Sequence, residues 1–300
     1  MPPDDQCAAG ERAVCCDLAA YAGVRIPVEA LPEYRRQPGP APGGLPTSLL
    51  RHADEQTVAA LAAVFHALHD HGLSADGLRG WGVLAAPRFI GRPALATGLE
   101  RFIAEGAWGV SPHLIPHRSL HSVSGTISQV LKAQGPNFGV GGGPGSEAEA
   151  LLTAAAMLRC QRLPGVWAVL TCFDPDAAPD PSGKPAAGTH LLGLALGLVP
   201  ARPGWPGLRL RVVAGLPPQQ PPAPHGPPSP YLRLFRIEAL HEALRACAAG
   251  PAESKVTLAL GPVSRVELSR AAAPANVNGA HRGPHAVRHA LPCHPAEVER

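Results

Sequence analysis

Histidines, serines and a run of glycines crowd residues 111–155, and each suggests a different chemistry. The glycine run, GPNFGVGGGPGSEAEALL, sets a sharp turn between a short apolar stretch and an alanine-rich helix. Strand, turn and helix can mount a nucleophile for acyl transfer, or cradle phosphate on the free N–H groups of the first helical turn. Ser146 follows the turn directly and Ser122 lies upstream, so these two serines are the candidate acyl carriers. The backbone of Gly143, Gly145 and Ser146 is the candidate binding surface. Yet the apex reads Gly143-Pro144-Gly145, and no Cys, Lys or His stands within it. The phosphate motif G-x-x-x-x-G-K-[ST] is absent, and G-x-G-x-x-G fails because its third glycine lands on Pro144 or Ser146.

His113, His117 and His121 stand four apart, a spacing that lines one helical face and suits a metal. Pro116 breaks that geometry, and no carboxylate or Cys accompanies them, so no metal is expected. Ser119, Ser122 and Ser124 lack a G-x-S-x-G elbow, and SGTIS reads better as small residues for close helix packing. Seven cysteines, at 7, 15, 16, 160, 172, 247 and 293, make an odd count with a vicinal pair, which fits neither a disulfide scaffold nor a zinc site. Cys160 and Cys172 sit in apolar surroundings and are expected in the core.

The elements that must hold these groups are legible from periodicity. AVCCDLAAYAGV within 12–30 reads as a first strand. In HADEQTVAALAAVFHALHDHGL, Val58, Leu61, Ala62, Phe65 and Leu68 follow helical spacing, with Asp54 and Glu55 at the positive end of the dipole and Gly72 as the stop. WGVLAAP (81–87) is a continuous apolar strand of the kind buried on both faces. A helix of about a dozen residues starts at Pro93, proline being at home in a first turn. Residues 111–135 form a loop and then a helix ending at Gly135, and NFGVG is a short strand. Ser146 with Glu149 makes an S-x-x-E capping box for the next helix. VWAVLTCF (166–173) is another apolar strand, while 190–199 and 208–215 read as an antiparallel pair. Helices alternating with buried strands define an α/β layered domain with a mixed sheet.

The bulk composition closes off several classes. A formal charge of +3 over 300 residues is not that of a nucleic-acid binder. No apolar run approaches a membrane span. Acidic residues stand where a signal peptide needs basic ones, so the cytoplasm is the expected compartment. The 36 prolines and 33 glycines together exceed a fifth of the chain, and residues 216–230 form a Pro-rich linker.

VSPHLIPHRSLHSVSGTISQVLKAQGPNFGVGGGPGSEAEALLTAAAML resembles the nucleophile region of β-ketoacyl synthases, members of the thiolase-like superfamily. Leu131, Gly135, Pro136 and Asn137 match the family's L-x-x-x-GP-[SN] turn, and Phe138 to Val140 match the strand that follows. The resemblance covers about residues 50–215. It implies a thiolase-like half with a five-stranded mixed sheet over residues 1–215, followed by the linker. A small helix and hairpin extension (231–270) and a disordered tail (271–300) then complete the chain. It also implies that the strand carrying Asn137 and Phe138 pairs across a two-fold interface. The family's active Cys falls on Pro144, which carries no nucleophile, and its H-G-T and N-x-G-H motifs are not recognisable. NVNGAH (276–281) is a near-miss, and His190 aligns with a strand.

The expectation is therefore a degenerate, non-catalytic ketosynthase-like protein of a fatty-acid or polyketide-type pathway, with no cofactor. Its partners would be an intact ketosynthase, a second copy of itself, or an acyl carrier protein. Two alternatives stand beside it. One is an acyltransferase using Ser146 or Ser122; the other is a stand-alone acyl or small-ligand binding module.

Overall fold

A computed structural model describes residues 12–40, 49–112, 114–176, 185–215, 235–261 and 264–270. The Pro-rich stretch 216–230, the tail 271–300, Cys7, Cys293 and His113 lie outside the described residues. In chain order the elements are β1 (Arg12–Pro27), α1 (Leu31–Arg36), α2 (Glu55–Asp70), β2 (Gly82–Pro87) and α3 (Arg92–Glu105). They continue with α4 (Leu114–Arg118), α5 (Leu120–Leu131), β3 (Asn137–Gly139), α6 (Ser146–Gln161) and β4 (Val166–Asp174). The last are β5 (His190–Pro200), β6 (Leu208–Ala214), α7 (Ile237–Ala249), β7 (Lys255–Ala259) and β8 (Ser264–Arg270).

The strands form one sheet in the order β3-β2-β4-β5-β1-β6-β8-β7. β3, β2 and β4 are mutually parallel, and every pair from β4 onward is antiparallel. The parallel strands explain the continuous apolar runs of β2 and β4, because both of their faces are covered. Along β4 the side chains alternate: Ala168 and Leu170 face one cluster with α6 and α7, and Trp167 and Val169 face another with α2 and α5. The result is three layers, helix over sheet over helix.

Helix α2 is buried almost all round from Gln56 to Leu68. Its apolar stripe packs under the sheet, while Val58, Ala59 and Ala62 meet Ile26, Phe173 and Leu191. The Asp54 carboxylate caps it, accepting the Gln56 N–H at 2.8 Å.

Four expectations are corrected here. The sheet has eight strands instead of five, because β8 bonds to the outer edge of β6 and β7 to β8. β5 and β6 do not pair. Both run antiparallel to β1, which lies between them with Cys16 facing Pro200 on one side and Leu210 on the other. They therefore run in the same direction, and residues 201–207 cross over β1 instead of forming a hairpin. The buried Asp17 pins that crossing, accepting from the Arg202 N–H at 2.6 Å and from Arg209 Nε at 2.8 Å.

Helix α5 stops at Lys132, which takes the left-handed cap position (φ 53°) expected of Gly135. Gly135 serves instead where the chain runs so close to the Trp81 backbone that a Cβ would collide with it. Cys160 is exposed, since it sits in the last turn of α6 on the outer face; Cys172 is buried as expected.

Candidate functional site

The parallel strands β2, β3 and β4 all end at one rim, and in open α/β sheets this is the end where ligands bind. The glycine turn lies on that rim. Val140 N–H donates to the Ala85 carbonyl at 2.9 Å, carrying β3 just past its last residue. Gly139 lies against the Leu120 backbone with no room for a Cβ. Gly141 (φ 73°), Gly142 (φ 106°) and Gly145 (φ 86°) then reverse the chain through left-handed conformations that side chains resist. Phe89 N–H donates to the Gly142 carbonyl at 2.9 Å, which stitches the turn to the end of β2. Pro144 stands exposed at the apex.

Gly145 is the N-cap of α6, and no side chain caps the helix. The expected capping box is therefore absent. Ser146 is already inside the helix, with its N–H bonded to the Gly143 carbonyl at 3.2 Å. Its side chain is 1% exposed, and its Oγ donates to Glu147 Oε2 at 3.5 Å.

Glu147 is fully buried, and burial raises its pKa against its own N–H and Arg88. Arg88 Nη1 donates to Glu147 Oε1 at 3.2 Å, and Nη2 meets Asp176 at 2.7 Å. Gln56 joins the cluster from α2: its Nε2 donates to the Arg88 carbonyl at 2.9 Å while its Oε1 accepts from Thr171 Oγ1 at 2.9 Å. The neighbouring Cys172 thiol is pushed up to about 12, chiefly by burial, so it is no thiolate.

Chemically, Ser146 beside a carboxylate has two parts of a nucleophile and base. Both are shut in, and the carboxylate is held by Arg88. Ser122 sits apart on α5, where its Oγ donates to the Ser119 carbonyl at 2.7 Å. Asn137 and Phe138 lie on β3, the edge strand, opposite Val83 and Leu84. Phe138 is half-buried against the core, and Asn137 Oδ1 is buried with no hydrogen-bond partner among the described residues. Gly143 and Gly145 complete the turn.

His117 lies in α4, 6.0 Å from the His52 ring, and His121 in α5. Among the described residues no His, Cys, Asp or Glu group can hold a metal. His190 opens β5 opposite Pro27 and Asp174. Two cavities, of about 350 and 330 Å³, flank the C-terminal end of α2, and neither is lined by a residue of the glycine turn.

Sequence reading missed Arg88, Glu147 and Asp176. The one local signal was a carboxylate directly after Ser146 on a helix otherwise rich in alanine.

No family model matches the chain, and no curated protein matches it. Solved structures do match. A ketosynthase (ApeO) in complex with its chain length factor (ApeC) from Xenorhabdus doucetiae matches at TM-score 0.51 and 15% identity, covering 86% of this chain and 100% of that one. The ishigamide ketosynthase/chain length factor gives 0.43 and 17%, over 66% of this chain and 67% of that one. A type II acyl-carrier protein in complex with its ketosynthase (AntDE:AntF) gives 0.42 and 16%, over 62% of this chain and 63% of that one. The chain thus spans less than two thirds of the length of this last structure. The fold is thiolase-like, similar to that of the ketosynthase structure matched over 86% of this chain. No helix among the described residues is long and apolar enough to cross a membrane.

Proposed function

We propose that the protein is a non-catalytic ketosynthase-like subunit, acting in the cytoplasm within a fatty-acid or polyketide-type pathway. It pairs with an intact ketosynthase through the outer edge of β3 and is approached by an acyl carrier protein. The observation that carries this reading is the closed start of α6. The family's nucleophile position is Pro144, and the first helical turn behind it is filled by Ser146, 1% exposed, and the buried Glu147–Arg88 pair. Condensation needs a carrier for the acyl chain and donors aimed at the developing oxyanion. The N–H groups of Ser146, Ala148 and Glu149 are already bonded to the Gly143 and Gly145 carbonyls and Arg88 is held by Glu147, so the groups at this helix start are engaged with one another.

The test is incubation with malonyl- and acyl-loaded carrier protein, read by intact mass and released CO₂. No adduct and no CO₂ are expected, together with co-purification of a ketosynthase. A stable acyl adduct overturns the reading. The 3.5 Å contact of Ser146 Oγ with Glu147 supports acyl transfer as the second reading. In that case Ser146→Ala abolishes the adduct.

A further inference from the structure

Strand β1 is sixteen residues long, but its two edges are covered unequally. β5 pairs with it from Cys16 to Pro27, while β6 stops at Asp17. From Leu18 onward, no strand among the described residues meets the second edge. Register fixes which groups are bare. Val28 N–H donates to the Thr189 carbonyl at 3.0 Å and continues the β1–β5 ladder, so the even-numbered residues from Ala20 bond to β5. Tyr21, Gly23 and Arg25 therefore turn their N–H and C=O groups outward. His71 Nε2 reaches the Tyr21 carbonyl from that side at 3.2 Å.

The bare edge forms the floor of the cavity of about 350 Å³, which residues 21–24 line. Its walls come from opposite layers. His66 and His71 belong to the end of α2 under the sheet, and His241 comes from α7 over it. The His241 ring lies on the Gly23 backbone, where a Cβ would come within 2.5 Å of it. Tyr21 packs with the α7 layer, yet its ring meets the His71 ring at 5.1 Å. The layers touch there because the sheet lacks a strand at this level.

Charge distinguishes the two walls. Burial lowers the His71 and His241 pKa values, and Arg245 adds to the effect on His241, so both rings are neutral at pH 7. Burial raises the Tyr21 pKa, and Arg245 and Arg270 oppose it. Arg270 Nη1 is engaged by the Ala248 and Gly250 carbonyls, at 2.7 Å each. Arg245 is exposed on α7 and outweighs Glu242 at His241. The α7 wall thus favours an anion, and the α2 wall, which carries Asp70, does not.

We propose that this edge takes an extended segment of a partner protein as an added strand, acidic at positions facing α7 and small and apolar at those facing α2. Main-chain bonds to Gly23 and Arg25 supply affinity, and alternate side chains supply selectivity. The segment residue opposite Gly23 lies on the α7 face, where glycine leaves no side chain of its own. The one opposite Ala22 lies on the α2 face with Asp70. This contact involves neither β3 nor the glycine turn, so it goes beyond the function proposed above.

The probe is a capped, fluorescent hexapeptide of alternating valine and glutamate, titrated into the full chain and read by anisotropy. A Kd of ~10–100 µM is expected, at least ~10-fold tighter than for the valine–lysine counterpart. N-methylation of one alternate set of its amides weakens binding at least ~10-fold, and methylation of the other set does not, because only one set faces β1. Arg245→Glu, a change on an exposed side chain, reverses the preference between the two peptides. Bound peptide slows hydrogen exchange at the Gly23 and Arg25 amides, whereas Ala22 and Val24 are slow without it. No binding below ~1 mM, or binding indifferent to both methylated sets, overturns strand addition. An unchanged preference in Arg245→Glu overturns the acidic assignment. Gly23 and Arg25 amides already slow in the dilute full chain give the edge to a segment of this chain, and slowing that grows with protein concentration gives it to a second copy. Either result overturns the partner.

Discussion

Glu147 and Arg88 set the character of the candidate site, because a buried carboxylate is tolerated only when something compensates its charge. Removing one member of such a pair typically costs about 3–5 kcal/mol. Glu147→Ala leaves Arg88 its second partner, Asp176, so a loss near the lower end, ~3 kcal/mol, is expected in urea unfolding. Asp54 makes a second residue-scale prediction. Burial and the adjacent Glu55 outweigh Arg118 and the Gln56 N–H, and push its carboxyl up to about 6. The unfolded value is near 3.9, so the folded state binds the extra proton and its stability falls as pH rises from about 4 to 6. Asp54→Asn is expected to flatten that decline, read as urea midpoints compared at pH 4, 5, 6 and 7. Thiol reactivity gives a third. Burial pushes Cys16, like Cys172, up to about 12, whereas Cys160 is exposed. Brief iodoacetamide treatment should label Cys160 and spare the other two until urea unfolds the chain. Early labelling of Cys172 would mean that the rim is open.

At the scale of elements, the glycines of the turn do two separable jobs. Gly145 needs its left-handed backbone but has open space where a Cβ would go. Gly145→Ala should therefore cost only the conformational penalty, about 1–2 kcal/mol. At Gly139 the obstacle is the Leu120 backbone, which cannot step aside without moving α5 off β3. Gly139→Ala is expected to cost more and to shift the near-ultraviolet spectrum; equal losses for both would show that packing at β3 is looser than described. The same distinction explains what was legible in the sequence. α2, β2 and β4 announce themselves because helical spacing and continuous apolar runs are local properties. The place of β1 between β5 and β6 is not local: its neighbours are chosen by a partner far along the chain, and the short connection between Pro200 and Leu208 suggests a hairpin that the shared strand direction forbids. Nor is the Arg88–Glu147 contact local, since 59 positions separate its ends. The turn itself was readable, but which side chains close it was not.

For the whole molecule, protection from hydrogen exchange should follow the depth of each strand in the sheet. β4 and β5 are buried along nearly their whole length, while β7 alternates between exposed and half-buried residues. Slow exchange is expected in β4 and β5, and fast exchange in β7 and α3, whose covered surface is small.

The central seat of β1 also has a consequence in time. Among the described strands it is the first to be synthesised, yet the Arg209 that locks Asp17 is made 192 residues later. At about 5–20 residues per second, β1 waits roughly 10–40 s with both edges bare. A sixteen-residue apolar strand in that state is a target for chaperones and for its neighbours on a polysome. Nascent chains arrested before residue 190 should be cut by protease within Arg12–Pro27, and chains released after residue 270 should resist. Yield in a cell then depends on how well that one strand is shielded while it waits, more than on the strength of the finished sheet.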